Sequence, residues 1–166
     1  MSAYTHPAYR EEKEHLNRTL KAVDAELTLA ETEKQSAEAE LKYARAFDPD
    51  KLPIREILFV KAVQTEKNMV LAHRKPYFTR INFTEHGKGE RVYYIGKYGV
   101  MDSSSLESVV IDWRAPLANL YYSGQLGHVE YTAPDGAVSG ELTLKRQFDI
   151  LDGEILSIFD TDIVSQ

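Results

Sequence analysis

The first third of the chain carries a seam of apolar residues at heptad spacing. Steps of four and three residues alternate along this seam, and Lys34 is its one polar member. No glycine or proline interrupts the chain between Pro7 and Pro49. The pattern predicts one helix over about residues 7–46, roughly 60 Å long at about 1.5 Å per residue. The seam consists of Leu16, Leu20, Val23, Leu27, Ala30, Lys34, Ala37, Leu41 and Ala44.

A short break and a second helical pattern follow. The segment FDPDKLP at 47–53 ends the first helix with two prolines and two aspartates, and helical spacing resumes over about residues 54–74. Such a break between two seamed helices is typical of an antiparallel hairpin. Because the second helix is shorter, we expect the proximal half of the first helix to pack on the rest of the chain. The second seam consists of Ile54, Leu58, Ala62, Thr65, Met69 and Ala72.

Beyond Pro76 the pattern changes to short runs of β-type alternation. About six such runs lie between Tyr77 and Asp160, separated by turn-forming segments. Asp135-Gly136 and Asp152-Gly153 are predicted to form two-residue hairpin turns. We therefore predict an α+β fold, in which a helical hairpin over 1–75 with its tip at 47–53 precedes a small antiparallel β domain over 76–166.

Composition narrows the class of protein. A chain of 166 residues suits one ordinary domain or a small domain with an appendage. It contains no cysteine, which excludes disulfides and thiolate metal sites. It shows neither a signal peptide nor an apolar run long enough to span a bilayer. We therefore expect a cytoplasmic protein with no membrane partner.

The charge is unevenly distributed along the chain. Residues 1–75 hold thirteen Lys/Arg and thirteen Asp/Glu, whereas residues 76–166 hold seven and thirteen, so the net charge of −6 belongs to the second part. Within the first helix, Asp24 to Glu40 carries six acids and one lysine. Both surfaces repel a phosphate backbone, which disfavours direct nucleic-acid binding.

Motifs for catalysis are absent from the sequence. No glycine is followed by the Gly-Lys-Ser/Thr of a phosphate-binding loop, and the serines at 103–105 lack a base at a defined spacing. The five histidines show neither paired spacing nor a carboxylate arrangement typical of a zinc site, so we expect surface histidines. We predict no catalytic, cofactor-binding or metal-binding residue here. The histidines are His6, His15, His73, His86 and His128.

One apolar run, VVIDWRAPLANLYYSG at 109–124, places an acid and a base on either side of the only tryptophan. In a strand, alternation sends Asp112 and Arg114 to one face and Trp113 to the other. We favour a structural lock, in which Trp113 anchors the core, the two charged residues bond to neighbouring turns, and Pro116 ends the strand. A catalytic pair has less support, because arginine does not deprotonate in proteins.

The predicted hairpin tip carries Asp48 and Asp50, flanked by Phe47 and Lys51. The two aspartates have two interpretations. Either acid could cap the second helix, Asp48 ahead of Pro49 or Asp50 ahead of the Leu-Pro pair. Alternatively, a long hairpin with acids at its tip is a probe that reaches into a partner, presenting carboxylates to a cation or displacing an anionic chain.

Four segments resemble, in this order, the N-terminal region of HelD-type proteins, which are bacterial relatives of UvrD/Rep-like superfamily-one helicases. They are KPYFTRINF, YYIGKYGVMD, VVIDWRAPLANLYYSG and GELTLKRQFDILDGEI, with DWRAP and LKRQF…DG the most specific pieces. The resemblance implies a parent protein that couples ATP hydrolysis to release of RNA polymerase from nucleic acid. It also implies that the N-terminal coiled coil enters the secondary channel of the polymerase with an acidic tip.

Carried to this chain, the resemblance places Asp48 and Asp50, with Phe47 and Lys51, at the partner-binding tip. ATP and magnesium would belong to a motor that we expect beyond residue 166, so this fragment would need no cofactor and have no catalysis of its own. RNA polymerase would be its partner, nucleic acid would be contacted through the parent protein, and the isolated domain would be monomeric.

Two alternatives remain open. The hairpin could grip DNA directly as an accessory domain of a DNA helicase. It could also serve as a coiled-coil oligomerisation module, because the seam of the first helix outruns that of the second and could pair between chains.

Overall fold

A computed structural model describes residues 3–123 and 126–161 of the chain. Two long helices, α1 (Tyr9–Phe47) and α2 (Leu52–Arg74), precede a seven-stranded sheet, which confirms the predicted α+β fold. Among the described residues, no helix has both the length and the apolar character needed to cross a membrane. The strands are β1 (Thr79–Glu85), β2 (Glu90–Gly96), β3 (Val100–Met101), β4 (Ser108–Asp112), β5 (Gly127–Ala133), β6 (Gly136–Leu151) and β7 (Glu154–Asp160), with a short α3 (Asn119–Ser123) between β4 and β5.

The two helices form the predicted antiparallel hairpin. Residues 55, 66 and 73 of α2 pair with residues 40, 34 and 24 of α1. Residue numbers therefore increase along one helix as they decrease along the other, which shows that the helices are antiparallel. All nine residues of the predicted α1 seam are buried or half-buried. Lys34, its polar member, places Nζ 3.0 Å from Oε1 of Glu66. A charged pair thus occupies the middle of an otherwise apolar seam.

The predicted seam of α2 is wrong near the tip and correct at three of its four later positions. Ile54, Leu58 and Thr65 are exposed, whereas Ala62 is half-buried and Met69 and Ala72 are buried. Near the tip, α2 turns a different face toward α1 from the one predicted. The half-buried stripe on this face includes Arg55, whose guanidinium lies 2.6 Å from the carboxylate of Glu40 on α1. Choosing apolar residues alone therefore selected the wrong face. The stripe comprises Leu52, Arg55, Phe59 and Ala62.

The strands are ordered β3-β4-β2-β1-β6-β5, and β7 pairs with the second half of the long β6. The pairings are antiparallel with one exception, since β2 and β4 run parallel, with Ile95 opposite Ile111. The described residues form seven strands where about six were predicted, because the run at 91–100 breaks after Gly96 into β2 and β3. A mostly antiparallel sheet replaces the fully antiparallel domain that was predicted.

One of the two predicted hairpin turns is confirmed and the other is displaced. Leu151 pairs with Glu154, so Asp152-Gly153 forms the β6–β7 turn, with φ values of 49° and 83°. Left-handed φ at both positions is the requirement of a type I′ turn. In the β5–β6 hairpin, Ala133 pairs with Gly136, so the turn residues are 134–135, one position earlier than predicted.

The proximal half of α1 packs on the sheet, as expected. Leu16 and Val23 join a buried cluster with strand residues such as Tyr94 and Phe148, and this cluster takes its α1 members from residues 9–27. Ile95, the next residue after Tyr94, belongs to a second cluster on the other face of the sheet. From residue 30 to the end of α1, about 25 Å of helix at about 1.5 Å per residue, the buried residues belong to neither cluster.

Candidate partner-binding site at the hairpin tip

The backbone of Asp48 closes the hairpin tip. Asp48 leaves the helical conformation at φ −145°, and its N–H donates to the carbonyl of Ala44 at 3.0 Å. Its own carbonyl accepts from the N–H of Lys51 at 3.1 Å, across a 3-10 turn at Pro49–Lys51. This turn runs directly into α2, so the tip is a tight connection and not an extended loop.

The predicted side-chain capping of α2 is wrong. Within the described residues, no side chain caps either the 3-10 turn or α2. Lys51, in helical conformation, precedes α2, so Asp50 lies inside the 3-10 turn and has no N-cap position to occupy. The carboxylate of Asp48 lies 3.7 Å from Nζ of Lys51, a partly exposed pair worth little stability.

The tip is rich in exposed apolar side chains. Six large residues between 43 and 60 are 41–73% exposed, with Phe47 at the upper end of this range. We call these six the apolar tip surface. Exposed apolar groups gathered on one segment are typical of interaction sites, whereas single ones are ordinary. The surface consists of Tyr43, Phe47, Ile54, Ile57, Leu58 and Val60.

Two shallow grooves lie along the distal hairpin. One has a volume of about 360 Å³ and is lined by residues that include Leu41, Arg45 and Phe59. The other has a volume of about 280 Å³ and is lined by residues that include Tyr43 and Asp48. The four residues predicted at the tip lie at the connection between the helices, where Phe47 ends α1 and Asp48 to Lys51 form the turn. The apolar surface beside them was not predicted, because Ile54 and Leu58 share the spacing of the predicted seam.

A buried ionic network joins α1 to the sheet. Glu12, in the first turns of α1, is 0% exposed. Its Oε1 accepts from the hydroxyl of Tyr94 at 2.6 Å, and its Oε2 accepts from Arg80 at 2.9 Å and Arg146 at 2.5 Å. The carboxylate of Glu12 therefore accepts three hydrogen bonds, one each from β1, β2 and β6. The sequence pattern did not predict this network, because its members are at least 68 positions away from Glu12 in the chain.

The network continues to the end of β7. Arg146 also donates through Nε to Asp160 at 2.7 Å, and Nε2 of His6 lies 3.2 Å from the same carboxylate oxygen. These hydrogen bonds, with the positive charge beside them, hold the pKa of Asp160 below its usual value against the opposing effect of burial. The network therefore ties the residues before α1 to the last described strand.

His15 packs inside the junction between α1 and the sheet. Its ring stacks on Tyr94 with centroids 3.6 Å apart. Burial, with nearby arginines, lowers its pKa to about 4. Burial raises the pKa of the neighbouring Tyr77, because the charged form of a tyrosine is the anion. The Tyr77 hydroxyl and Nε2 of His15 both lack a hydrogen-bond partner among the described residues. The expectation of a surface histidine is wrong at His15, because its position on the α1 face turned toward the sheet encloses it.

Trp113 does not anchor the core. It is 44% exposed and meets Tyr122 edge-on, with ring centroids 6.4 Å apart. β4 ends at Asp112, and the N–H of Ala115 donates to the Asp112 carbonyl at 2.9 Å. The chain therefore turns at this point, and strand alternation no longer directs the tryptophan inward.

Among the described residues, the acid and base around Trp113 bond to each other and not to the neighbouring turns. Asp112 accepts from the Arg114 backbone N–H at 2.8 Å and from its guanidinium at 3.1 and 2.8 Å. The Arg114 side chain thereby lowers the pKa of Asp112. Pro116 opens a 3-10 helix at Pro116–Ala118. We interpret the segment as a turn lock, in which the ion pair closes the exit from β4.

The remaining histidines separate into single residues and one pair. His73 on α2 lies 3.2 Å from Asp24 of α1, and His6 belongs to the ionic network. His86 and His128 come together on the sheet, with ring centroids 5.3 Å apart and Glu141 beside them. Strand pairing thus joins residues that are 42 positions apart in the chain, a grouping that spacing along the sequence did not indicate.

These features define a class of protein domain: a helical hairpin, locked at its base to a β-sheet, with an exposed apolar tip. Residues 9–166 match the family model of the N-terminal domain of DNA helicase IV HelD. The chain belongs to this HelD N-terminal domain family. A search of curated proteins found no match to it.

Proposed function

We propose that this domain binds bacterial RNA polymerase through its hairpin, which enters the secondary channel tip first, and that the parent helicase uses this contact to release polymerase from nucleic acid. The observation that carries the proposal is the apolar tip surface, at the end of the hairpin that lies away from the sheet. Family membership supports the helicase context. The partner and the channel follow from the resemblance of the sequence segments to HelD-type proteins.

The tip combines two physical means of engaging a partner. Burial of apolar surface contributes about 25 cal/mol per Å², and Phe47 and its neighbours contribute little to the fold because they are exposed. Asp48 and Asp50 supply negative charge at the same end. In a channel occupied by nucleic acid or a divalent cation, these carboxylates repel the phosphates and attract the cation.

The apolar surface is tested by truncation. Replacing Phe47 and Ile57 with alanine should weaken binding to polymerase core about tenfold or more, as for exposed anchors that become buried on binding. Phe159→Ala is a matched control, because Phe159 is 63% exposed but lies on β7. Affinity is measured by fluorescence titration after co-elution on gel filtration. Equal losses in the tip and control variants would contradict docking through the tip.

The acids are tested separately from docking. The double substitution Asp48→Asn/Asp50→Asn should leave folding and binding nearly unchanged but weaken displacement of nucleic acid from polymerase by the parent protein. The control Glu31→Gln/Glu33→Gln removes the same charge from exposed positions in the middle of α1, away from the tip. Displacement by the tip variant equal to that of the wild type would refute the role of the acids.

The two alternatives have less support. Direct DNA binding is disfavoured by the acidic segment from Asp24 to Glu40, and salt-dependent binding of DNA by the isolated domain would revive it. The oligomerisation alternative depended on a seam of α1 left open beyond α2. In the structure, Leu16 and Val23 of that seam pack in the sheet core, so this part of the seam is already covered.

A further inference from the structure

Two exposed histidines and an exposed glutamate converge on the sheet, away from the hairpin tip. His86 follows the last residue of β1, His128 lies on β5, and Glu141 lies on β6. One ligand atom from each residue, an imidazole nitrogen or a carboxylate oxygen, lies within 4.8 Å of the other two. This trio carries no role in the hairpin docking proposed above.

Strand register explains why the three side chains share a face. Glu141 pairs with Thr84 on one side and with His128 on the other, and directly paired residues project to the same side of a sheet. His86 comes two residues after Thr84, which returns it to that face. Its N–H donates to the carbonyl of Ser139 at 3.0 Å, so the β1–β6 ladder extends as far as His86.

Gly140 holds the backbones of β1 and β6 unusually close at this site. A Cβ built at Gly140 would lie 2.1 Å from the Thr84 carbonyl oxygen and 2.8 Å from Cα of Glu85, which no side chain tolerates. The glycine next to Glu141 therefore allows the end of β1 to approach. The ligating residues are mounted on paired strands and are not left on a free loop.

We propose that His86, His128 and Glu141 form a binding site for a divalent first-row transition-metal ion, with Zn²⁺ as the reference ion. Zinc binds imidazole nitrogen and carboxylate oxygen at about 2.0–2.2 Å, so ligand atoms in a tetrahedral site lie about 3.4 Å apart. The three side chains are exposed, and their ligand atoms, within 4.8 Å of one another, would have to move closer by up to about 1.4 Å to bind the ion. Two imidazoles with one carboxylate favour zinc, cobalt, nickel or copper over magnesium or calcium.

A site with three protein ligands leaves the fourth position of a tetrahedral ion open. Water or a side chain of another molecule would complete it. Metal binding would also link β1, β5 and β6 at this exposed end of the sheet, and it stabilises the folded state by an amount that grows with the logarithm of the free metal concentration above its Kd. The weak contacts now present, 3.8 Å between His128 and Glu141 and 3.5 Å between His86 and Ser139, leave the ring nitrogens available to a metal.

The test is calorimetric titration of the whole chain, purified without a polyhistidine tag, with Zn²⁺ alone. We expect one ion per chain, and an affinity at least about tenfold lower for His128→Ala and for Glu141→Gln, since even outer partners of metal ligands are worth that much. His73→Ala is the matched control, because His73 also faces a carboxylate but has no second histidine beside it. Its affinity should equal that of the wild type.

Titration with Co²⁺ gives an independent readout, since tetrahedral coordination produces intense visible absorption that nonspecific surface binding does not. Absence of saturable binding by the wild type would overturn the proposal. Equal binding by the wild type and by the double variant His86→Ala/His128→Ala would overturn it as well. Circular dichroism and metal-free melting verify that each variant is folded. If an alanine variant does not fold, glutamine is placed at the same histidine position instead, because it keeps a polar side chain of similar size.

Discussion

The strongest test of the fold is the substitution Glu12→Gln. It changes one atom of a side chain that is completely buried and removes the negative charge at the centre of the ionic network. Arg80 and Arg146 then face an amide in place of a carboxylate. An amide has only one acceptor oxygen. With that oxygen toward the two arginines, its NH₂ group faces the Tyr94 hydroxyl, which must change from donor to acceptor, and both arginines lose the negative charge of their partner.

The loss in the free energy of unfolding depends on the hydrogen-bond partners that each arginine keeps in the variant. Arg80 retains Asn82 at 2.9 Å and the exposed Glu11 at 3.3 Å, while Arg146 retains Asp160. Removing one partner of a buried ion pair costs about 3–5 kcal/mol. Because both arginines keep other acceptors, we expect the lower end, about 3 kcal/mol. This is a large share of the about 5–15 kcal/mol typical of a folded domain.

The assay is urea unfolding at neutral pH, monitored by circular dichroism, with the free energy of unfolding extrapolated to water. The adjacent substitution Glu11→Gln is the matched control. It removes the same charge and also touches Arg80, but the Glu11 side chain is 65% exposed, so we expect a loss of no more than about 1 kcal/mol. A loss for Glu12→Gln as small as this would refute the reasoning.

A triple variant separates the cost of an unpaired charge from the value of the whole network. Glu12→Leu/Arg80→Met/Arg146→Met removes every charge at the centre while roughly conserving volume. Replacing a buried network with apolar groups is often neutral or stabilising, so the triple variant should be more stable than Glu12→Gln. If the triple variant is less stable than Glu12→Gln, the ionic network contributes more stability than an apolar core of similar volume would.

Three further predictions concern stability. Burial lowers the pKa of His15 to about 4, below the about 6.5 of an unfolded histidine, so protonation favours unfolding. The free energy of unfolding should fall by up to about 3 kcal/mol between pH 6.5 and 4, and His15→Phe should reduce that dependence in urea titrations. Lys34→Met should cost about 1 kcal/mol by leaving half-buried Glu66 unpaired, while adding Glu66→Leu should restore or exceed wild-type stability, as a double-mutant cycle would measure. Ala30→Leu should overpack the helical interface and cost about 1–3 kcal/mol in thermal melts.

The candidate site was only partly predictable. The position of Asp48 and Asp50 between two helical patterns was sufficient to place them at a tip, because a break in a hairpin must lie at its end. The apolar tip surface was not predictable, since Ile54 and Leu58 have the same spacing as seam residues. The tertiary structure shows which side of α2 faces α1, through the pairing of Arg55 with Glu40 and the partial burial of Phe59.

The sequence by itself determined what depends on neighbours along the chain. Heptad spacing over residues 16–44 specified α1 and its buried face, the break at 47–53 specified the hairpin, and Asp152-Gly153 specified a turn. Each of these is local, because one helical turn or one hairpin turn is decided within a few residues. The α+β class followed from the change of period near Pro76.

The tertiary structure alone decided which distant residues meet. Glu12 stands among similar acids at 11–14, and only the sheet, with Arg80 and Arg146 located 68 and 134 positions away, encloses it and gives it partners. The parallel pairing of β2 with β4 and the convergence of His86 with His128 also depend on strand order. Strand order is set by packing of the whole chain, and a periodicity that repeats within a few residues carries no record of it.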